Sequence, residues 1–439
     1  LDDDARALLP LTVEDVLSHI QRVYLVYLTQ LGQRPAGEPY NDLVPYTTLL
    51  PDLPVMGTGV AGSNAWAVAG TRSASGRGLL LANPHLYWGD FHTFFEAHLN
   101  APGVNLYGVA QVGWPVLRYG FNEQLGWAHT VNTLKGWDAF ALVEREGGYV
   151  LDGEVRPFET REETLRVREA DGSLREETLT VRRTVHGPVL TSDRGRAVAV
   201  RCVGLDVSPI HGIFSQYWAM GRARTHAEFE AALARGQNAL FTVMYADAAG
   251  NAATYFTGLV PRRAPGTTWQ EVAGTLPGDD SGLVWTETHD FSELPRVVNP
   301  PSGWVQNANN PPWLTTLPAP LDPGAYPAYV APRMVTPREQ RSLRMLLAME
   351  TATLEGLLAG ANDVRSETAD RLVPSLLEAA RAHGDALARD AADVLERWDR
   401  RYAADSVGAD LFARWLSMMR PDRELRGVTA AAWSADRPL

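Results

Sequence analysis

Apolar residues recur at helical spacing over residues 11–32 (Val13, Val16, Leu17, Ile20, Val23, Tyr24, Tyr27, Leu28), which predicts an amphipathic helix. Thr12 is its candidate N-cap, and Asp15 three residues on supplies the looser, acidic form of a capping box. Residues 33–62 are rich in Pro and Gly and read as a loop or a removable spacer. From residue 63 the pattern turns to strands. Ala67 to Ala69 and Leu79 to Ala82 are short apolar runs, whereas Phe91 to Leu99 fits either type of element. Asp152-Gly153 and Asp171-Gly172 are hairpin turn signals, the second lying between the alternating segments Thr164–Glu169 and Glu177–Arg182. Residues 224–235 predict a short helix with Thr225 as N-cap, and residues 239–260 predict strands broken by a turn at Asp247–Asn251. Residues 261–335 hold many of the 29 prolines and predict long irregular connections, and 337–400 predict helices. The order helix, strands, strands, helices predicts an α+β, layered architecture rather than βαβ repeats.

Composition narrows the classes. The chain has 439 residues, 45% hydrophobic and 21% charged, as expected of a globular protein rather than a disordered one. Its 40 basic residues are outnumbered by 52 acidic ones, for a formal net charge of -12, which argues against nucleic acid as a partner. No apolar run reaches the length of a membrane span, so no transmembrane helix is expected. Cys202 is the lone cysteine, so no internal disulfide forms and the compartment stays open. The chain opens on Leu1-Asp2-Asp3-Asp4, and so reads as the middle of a longer precursor whose signal or prosegment is absent.

The chemistry concentrates at Gly62-Ser63-Asn64-Ala65-Trp66, where a Gly-rich run meets the first strand-like run. No Gly-x-Ser-x-Gly elbow occurs in the chain. A Ser-x-x-Lys pair is excluded, because Lys135 is the only lysine and Asn132 sits three before it. A serine directly after glycine has a third route to activation. If the Gly62–Ser63 bond is cut, Ser63 gains a free α-amine and carries nucleophile and base in one residue. That amine ordinarily titrates at about 7.7–8.0, close to working pH. In the uncut chain the same nitrogen is an amide and cannot act as a base, so activity depends on processing.

A series of segments in one order carries a family resemblance. After Gly62–Trp66 come Asn83-Pro84-His85, Leu125-Gly-Trp-Ala-His-Thr-Val-Asn132, His186-Gly-Pro-Val189, Tyr245-Ala-Asp-Ala-Ala-Gly-Asn251, Gly258-Leu-Val-Pro-Arg262 and Gln306-Asn-Ala-Asn-Asn-Pro311. Over roughly 57–345 the chain resembles the penicillin acylase family of N-terminal nucleophile (Ntn) hydrolases. Its Asn-Pro-His and His-Thr-Val-Asn segments resemble the branch acting on N-acyl homoserine lactones and lipopeptides more than the penicillin G branch. The Thr336-Pro-Arg338 to Arg344 stretch has the same character. The resemblance implies a four-layer αββα sandwich of two antiparallel sheets between helical layers. It divides the chain into 1–62, the end of an α-chain plus spacer, and 63–439, a β-chain core with a C-terminal helical region, together an α/β heterodimer from one precursor. Members of the family are usually longer at both ends, so both parts are expected to be truncated here.

The site follows residue by residue from the same resemblance. Ser63 is the nucleophile. The N–H of Val131 and the side-chain amide of Asn309 are the oxyanion donors, with Asn307 and Asn310 as rivals of Asn309. His85 lines the nucleophile and helps hold its amine. Arg338 orients the catalytic asparagine and the substrate, with Arg333 as rival. Leu86 and Tyr119 line an apolar acyl pocket, to which Phe94 and Trp66 contribute. Several penicillin acylases hold calcium with a carboxylate after the oxyanion strand; here Lys135 takes that position beside Asp138, so no metal and no cofactor is expected. The implied activity is hydrolysis of an N-acyl amide, foremost an N-acyl homoserine lactone, in a periplasmic or secreted enzyme. The alternatives are a penicillin, cephalosporin or lipopeptide side-chain acylase, or a non-catalytic protein of the same fold that binds acyl ligands.

Overall fold

The computed structural model describes residues 6, 9–31, 62–86, 92–169, 171–191, 197–333 and 335–418. The spacer predicted over 33–62 lies outside these residues, apart from Gly62. Helix α1 (Val13–Leu31) starts where the sequence predicts: Thr12 Oγ1 accepts the Asp15 N–H at 3.2 Å and Asp15 Oδ2 accepts the Thr12 N–H at 2.8 Å. Ile20 and Val23 bury, while Val13 and Leu17 on the predicted face stay exposed.

Two sheets pack face to face. The smaller is built on β1 (Gly62–Val68) and β2 (Leu79–His85). The larger takes β3 (Phe94–Ala101), β4 (Val104–Gln111), β5 (Leu117–Phe121) and β6 (Leu125–Val131) from the next stretch of chain. The ambiguous segment Phe91–Leu99 is therefore strand from Phe94 onward. A third, peripheral region follows. It comprises β7 (Trp137–Ala141), the small sheet β8 (Glu144–Arg145), β9 (Gly148–Leu151) and β10 (Glu154–Pro157), and the ribbon β11 (Glu159–Arg168) and β12 (Leu174–Thr184). The ribbon turns at Asp171-Gly172 as predicted and is longer than its alternating segments suggested. Strands β13 (Gly187–Thr191) and β14 (Ala197–Cys202) lead to helices α2 (Ile213–Arg222) and α3 (His226–Leu233), the latter capped by Thr225. The chain returns to the larger sheet with β15 (Phe241–Asp247) and β16 (Ala252–Phe256).

The proline-rich stretch is not all irregular. It holds helix α4 (Trp269–Ala273), β17 (Thr275–Pro277), β18 (Arg296–Val298) and β19 (Trp304–Asn307). The smaller sheet has the order β19-β1-β2 and the larger β18-β16-β15-β6-β5-β4-β3, antiparallel throughout. Helices α5 (Pro337–Ala348), α6 (Leu354–Ala361), α7 (Glu367–His383), α8 (Ala386–Arg397) and α9 (Val407–Met418) close the described chain.

Side-chain alternation along the strands makes the layers. Ala65, Ala67 and Ala69 face Ala128, Met244 and Ala246 across the two sheets, where only small side chains fit. On its other face β1 turns Trp66 and Val68 to Leu343, Leu346 and Leu357 of α5 and α6. The outer face of the larger sheet buries Leu125, Trp127 and Tyr245 against Tyr217, Met220 and Phe229 of α2 and α3. The result is α5/α6, sheet, sheet, α2/α3: a four-layer αββα sandwich.

Candidate active site

The centre of the site is the end of the smaller sheet. Ala65 pairs with Asn307 across β1 and β19, so the same register puts residue 309 opposite Ser63. The backbone does not complete the ladder there. Asn309 adopts a left-handed conformation with φ of 63°, which asparagine tolerates better than most side chains. Its side chain takes over: Oδ1 accepts the Ser63 N–H at 2.6 Å. Asn307 and Asn310 hold the turn instead. Asn307 Oδ1 accepts the Asn309 N–H at 2.9 Å, and Asn310 Oδ1 accepts the Ala308 N–H at 2.8 Å. Thr130 Oγ1 donates to Asn307 Oδ1 at 2.5 Å, which ties this turn to the strand carrying Val131. Thr130 is a contributor that sequence reasoning passed over, although it stands inside the His-Thr-Val-Asn segment.

Val131 is the last residue of β6. The Asn132 N–H donates to the Leu240 carbonyl at 3.2 Å, so 132 and 240 form a bonded pair and Val131, one residue back, directs its N–H and C=O away from β15. Asn309 Nδ2 donates to that Val131 carbonyl at 2.8 Å. An amide nitrogen carries two N–H groups, so the second is available to a developing oxyanion beside Ser63.

Arg338 comes from the first turn of α5. Thr336 caps that helix, Pro337 opens it, and Glu339 closes a capping box. Its guanidinium binds the same constellation: Nη1 donates to the Ser63 carbonyl at 2.7 Å and to Asn64 Oδ1 at 2.9 Å, and Nη2 donates to Asn309 Oδ1 at 2.9 Å. Arg333, its rival, is exposed. Glu339 is buried, and that burial drives its carboxyl well above the usual range. His85 pairs with Gly62 across β1 and β2, its Nε2 3.4 Å from Arg338 Nη1. Gly62 fills the gap among these groups. A Cβ there would stand 2.7 Å from His85, 3.0 Å from Asn309 and 3.1 Å from Arg338, so no larger residue fits without displacement.

Ser63 is buried and shares its face of β1 with Ala65, toward the larger sheet. Tyr119 lies on this side, half-buried, packed on the alanine layer and edge-on to Phe94 with ring centres 5.7 Å apart. Leu86 follows His85 and is also half-buried. Trp66 lies elsewhere. It is on the opposite face of β1, buried among the helices, with Nε1 donating to Ser342 Oγ at 2.7 Å. His129, two residues before Val131, is enclosed by Tyr119, Tyr217 and Phe241, and burial keeps its ring neutral.

Lys135 and Asp138 form a separate buried centre. Asp138 Oδ2 accepts from Arg263 Nη2 at 2.8 Å and from Trp285 Nε1 at 2.6 Å, and Oδ1 lies 3.3 Å from Lys135 Nζ. Lys135 also donates to the carbonyls of Val272 and Gly274. The carboxylate is thus engaged by two cations and an indole. Among the described residues no three His, Cys, Asp or Glu side chains are grouped to hold a metal ion.

The αββα sandwich is the fold of the Ntn hydrolases, and near the start of its inner strand β1 the backbone of Ser63 is held by Asn309 and Arg338. The penicillin amidase family model matches residues 4–434, and the chain belongs to that family. It is similar to an acyl-homoserine lactone acylase PvdQ of Pseudomonas fluorescens, 30% identical over 371 residues, covering 77% of this chain and 47% of the relative. Aculeacin-A acylase of Actinoplanes utahensis is 28% identical over 410 residues, covering 81% of this chain and 50% of the relative. The chain therefore spans about half the length of these curated relatives. A thermostable penicillin G acylase from Alcaligenes faecalis shares the fold, with a TM-score of 0.61 at 21% identity over 77% of this chain and 59% of that one.

Proposed function

We propose that the chain is a self-processing N-acyl amide hydrolase with Ser63 as its nucleophile. The observation that carries this reading is the hydrogen bond from the Ser63 nitrogen to Asn309 Oδ1, 2.6 Å, clamped from the other side by Arg338 at 2.9 Å. It holds the nitrogen that becomes the α-amine in contact with the residue that offers an oxyanion donor.

Cleavage of the Gly62–Ser63 bond divides the chain into 1–62 and 63–439 and frees the amine. Ser63 Oγ then attacks the substrate carbonyl carbon, and its proton passes through a water to the amine, because amine and hydroxyl of one residue meet poorly head-on. The oxyanion faces the Val131 N–H and Asn309 Nδ2. Collapse breaks the C–N bond, the amine leaves with the relayed proton, and water hydrolyses the acyl-enzyme to free acid and Ser63. His85 and Arg338 position the amine and Asn309. Leu86 and Tyr119, with Phe94, receive the acyl chain. The relatives' names favour N-acyl homoserine lactones or a lipopeptide side chain as substrate. The family resemblance supports a periplasmic or secreted site.

Intact mass and N-terminal sequencing of the protein purified from cells test the reading. A fragment beginning Ser-Asn-Ala-Trp is the expected outcome. An uncut, folded and soluble chain would remove the α-amine base and leave a binding protein of the same fold.

A further inference from the structure

Four residues close a ring of hydrogen bonds beside the nucleophile. Thr130 Oγ1 donates to Asn307 Oδ1 at 2.5 Å, and the same oxygen accepts the Asn309 N–H at 2.9 Å. Asn309 Nδ2 donates to the Val131 carbonyl at 2.8 Å, and the peptide bond between Thr130 and Val131 completes the circuit. That peptide carries the Val131 N–H. Asn307 Oδ1 is thus the junction between the strand bearing one oxyanion donor and the turn bearing the other. An amide oxygen has two lone pairs, and here both are taken. All four residues are buried.

The Thr130 hydroxyl is out of character with its surroundings. Even-numbered positions of β6 face the smaller sheet, where Ala65, Ala67, Ala128, Met244 and Ala246 make an apolar layer. Thr130 stands on this face, and so does Asn307 through its pairing with Ala65. A buried hydrogen-bonded pair adds little net stability over an apolar pair of the same shape. What it adds is direction. Thr242 sharpens the point. It sits opposite Thr130 on β15, is also buried, and its hydroxyl has no partner among the described residues. Two threonines stand side by side in one layer, and only the one joined to Val131 is tied to the asparagine turn.

We infer that Thr130 is a positioning residue of the acylase site, which through Asn307 sets the spacing between the Val131 N–H and Asn309 Nδ2 so that both reach one oxyanion. The inference rests on the acylase reading above. Thr130 itself touches no reacting atom; its effect passes through the two donors. Without its hydroxyl both donors are still present but are no longer held in register. Such a fault weakens binding of the transition state and leaves binding of the substrate nearly intact.

The test measures kcat and KM separately on the processed protein, with N-decanoyl-homoserine lactone and decanoyl para-nitroanilide as substrates. Thr130→Val keeps the branched shape and removes the hydroxyl. It lowers kcat about tenfold, short of the loss of a whole donor, with KM within about twofold of wild type. Thr130→Ser keeps the hydroxyl and recovers most of that loss. Thr242→Val, the control in the same layer, leaves kcat within about twofold. In an Asn309→Ala background Thr130→Val costs less than about threefold, because the donor it places is gone. Unchanged turnover in Thr130→Val, whatever its melting temperature, marks a merely structural bond and overturns the inference. An equal loss in Thr242→Val, or an undiminished loss in the Asn309→Ala background, does so too. Should Thr130→Val fail to fold, Thr130→Ala, which matches the neighbouring Ala128, replaces it with the same expectations. A variant that folds but stays uncut is read against Thr130→Ser: cleavage restored by serine supports the inference, and cleavage absent from both overturns it. If wild type hydrolyses neither compound, the acylase reading falls and takes this inference with it; with an active wild type, only the role of Thr130 is at stake.

Discussion

Arg263 and Arg338 are both anchored in the interior, and they are used in opposite ways. Arg263 gives Nη2 to the carboxylate of Asp138, which Lys135 also approaches, and its guanidinium lies 5.5 Å from the Tyr329 ring. One carboxylate there answers two cations at close range, and the chain around 135–138 is pinned to the loop bearing Trp285. Arg338 gives its donors to the Ser63 carbonyl, Asn64 and Asn309, all neutral oxygens around the nucleophile. Its bonds fix directions rather than cancel a charge. The first centre should therefore register in stability and the second in turnover.

The largest expected effect tests the second centre at its focus. Ser63→Ala should abolish both cleavage and hydrolysis while changing stability by only about 1 kcal/mol. Mass spectrometry and thermal unfolding read the two sides, and a processed, active variant would refute the assignment. Next, Asn309→Ala should lower kcat about 100- to 1000-fold as the loss of one oxyanion donor; a loss under about tenfold would move the role to a neighbour. Lys135→Met is the counterpart in the first centre. It should cost about 3 kcal/mol, because Asp138 loses one of two cations in a buried cluster, with kcat/KM nearly unchanged once the protein is folded. A large fall in turnover with unchanged stability would erase the contrast.

The smallest effect is a pH dependence away from both centres. Burial, then Arg201, pushes the His186 ring from its ordinary value of 6.5 down to about 4. Between those values the unfolded chain takes up a proton that the folded one refuses. Stability should therefore fall as pH drops from 6.5 to about 4 and level off below, where the folded ring also charges. His186→Phe keeps a ring against Phe140, 4.6 Å away, and should flatten that slope in melting curves taken across the range.

Much of this was legible in the residues, and the gaps have physical causes. Thr12 and Thr225 cap helices because a hydroxyl that accepts the backbone N–H of an acidic residue three positions on is a local device. Asp171-Gly172 marks its hairpin for a like reason. β19 was hidden: Trp304-Val-Gln-Asn is four residues, flanked by loops and buried on both faces, so it shows no alternation. Yet it is the strand that brings Asn309 to Ser63. The division of labour among Asn307, Asn309 and Asn310 was equally unreadable. All three are buried asparagines in one turn, and only the left-handed backbone at Asn309 turns its side chain to the nucleophile. Trp66 shares a motif with Ser63, but an odd spacing of three along a strand sends the two to opposite faces.

The hydrogen bond between Ser63 and Asn309 spans 246 positions of sequence, and that between Arg338 and Ser63 spans 275. Neither contact exists until β1, β19 and the first turn of α5 have met in the finished sandwich. Cleavage at Gly62–Ser63, on the reading proposed above, is thus a proofreading step carried out by the fold itself. A chain misassembled anywhere among these elements keeps its serine nitrogen as an amide and remains inert, so hydrolytic power is issued only to molecules that have folded correctly.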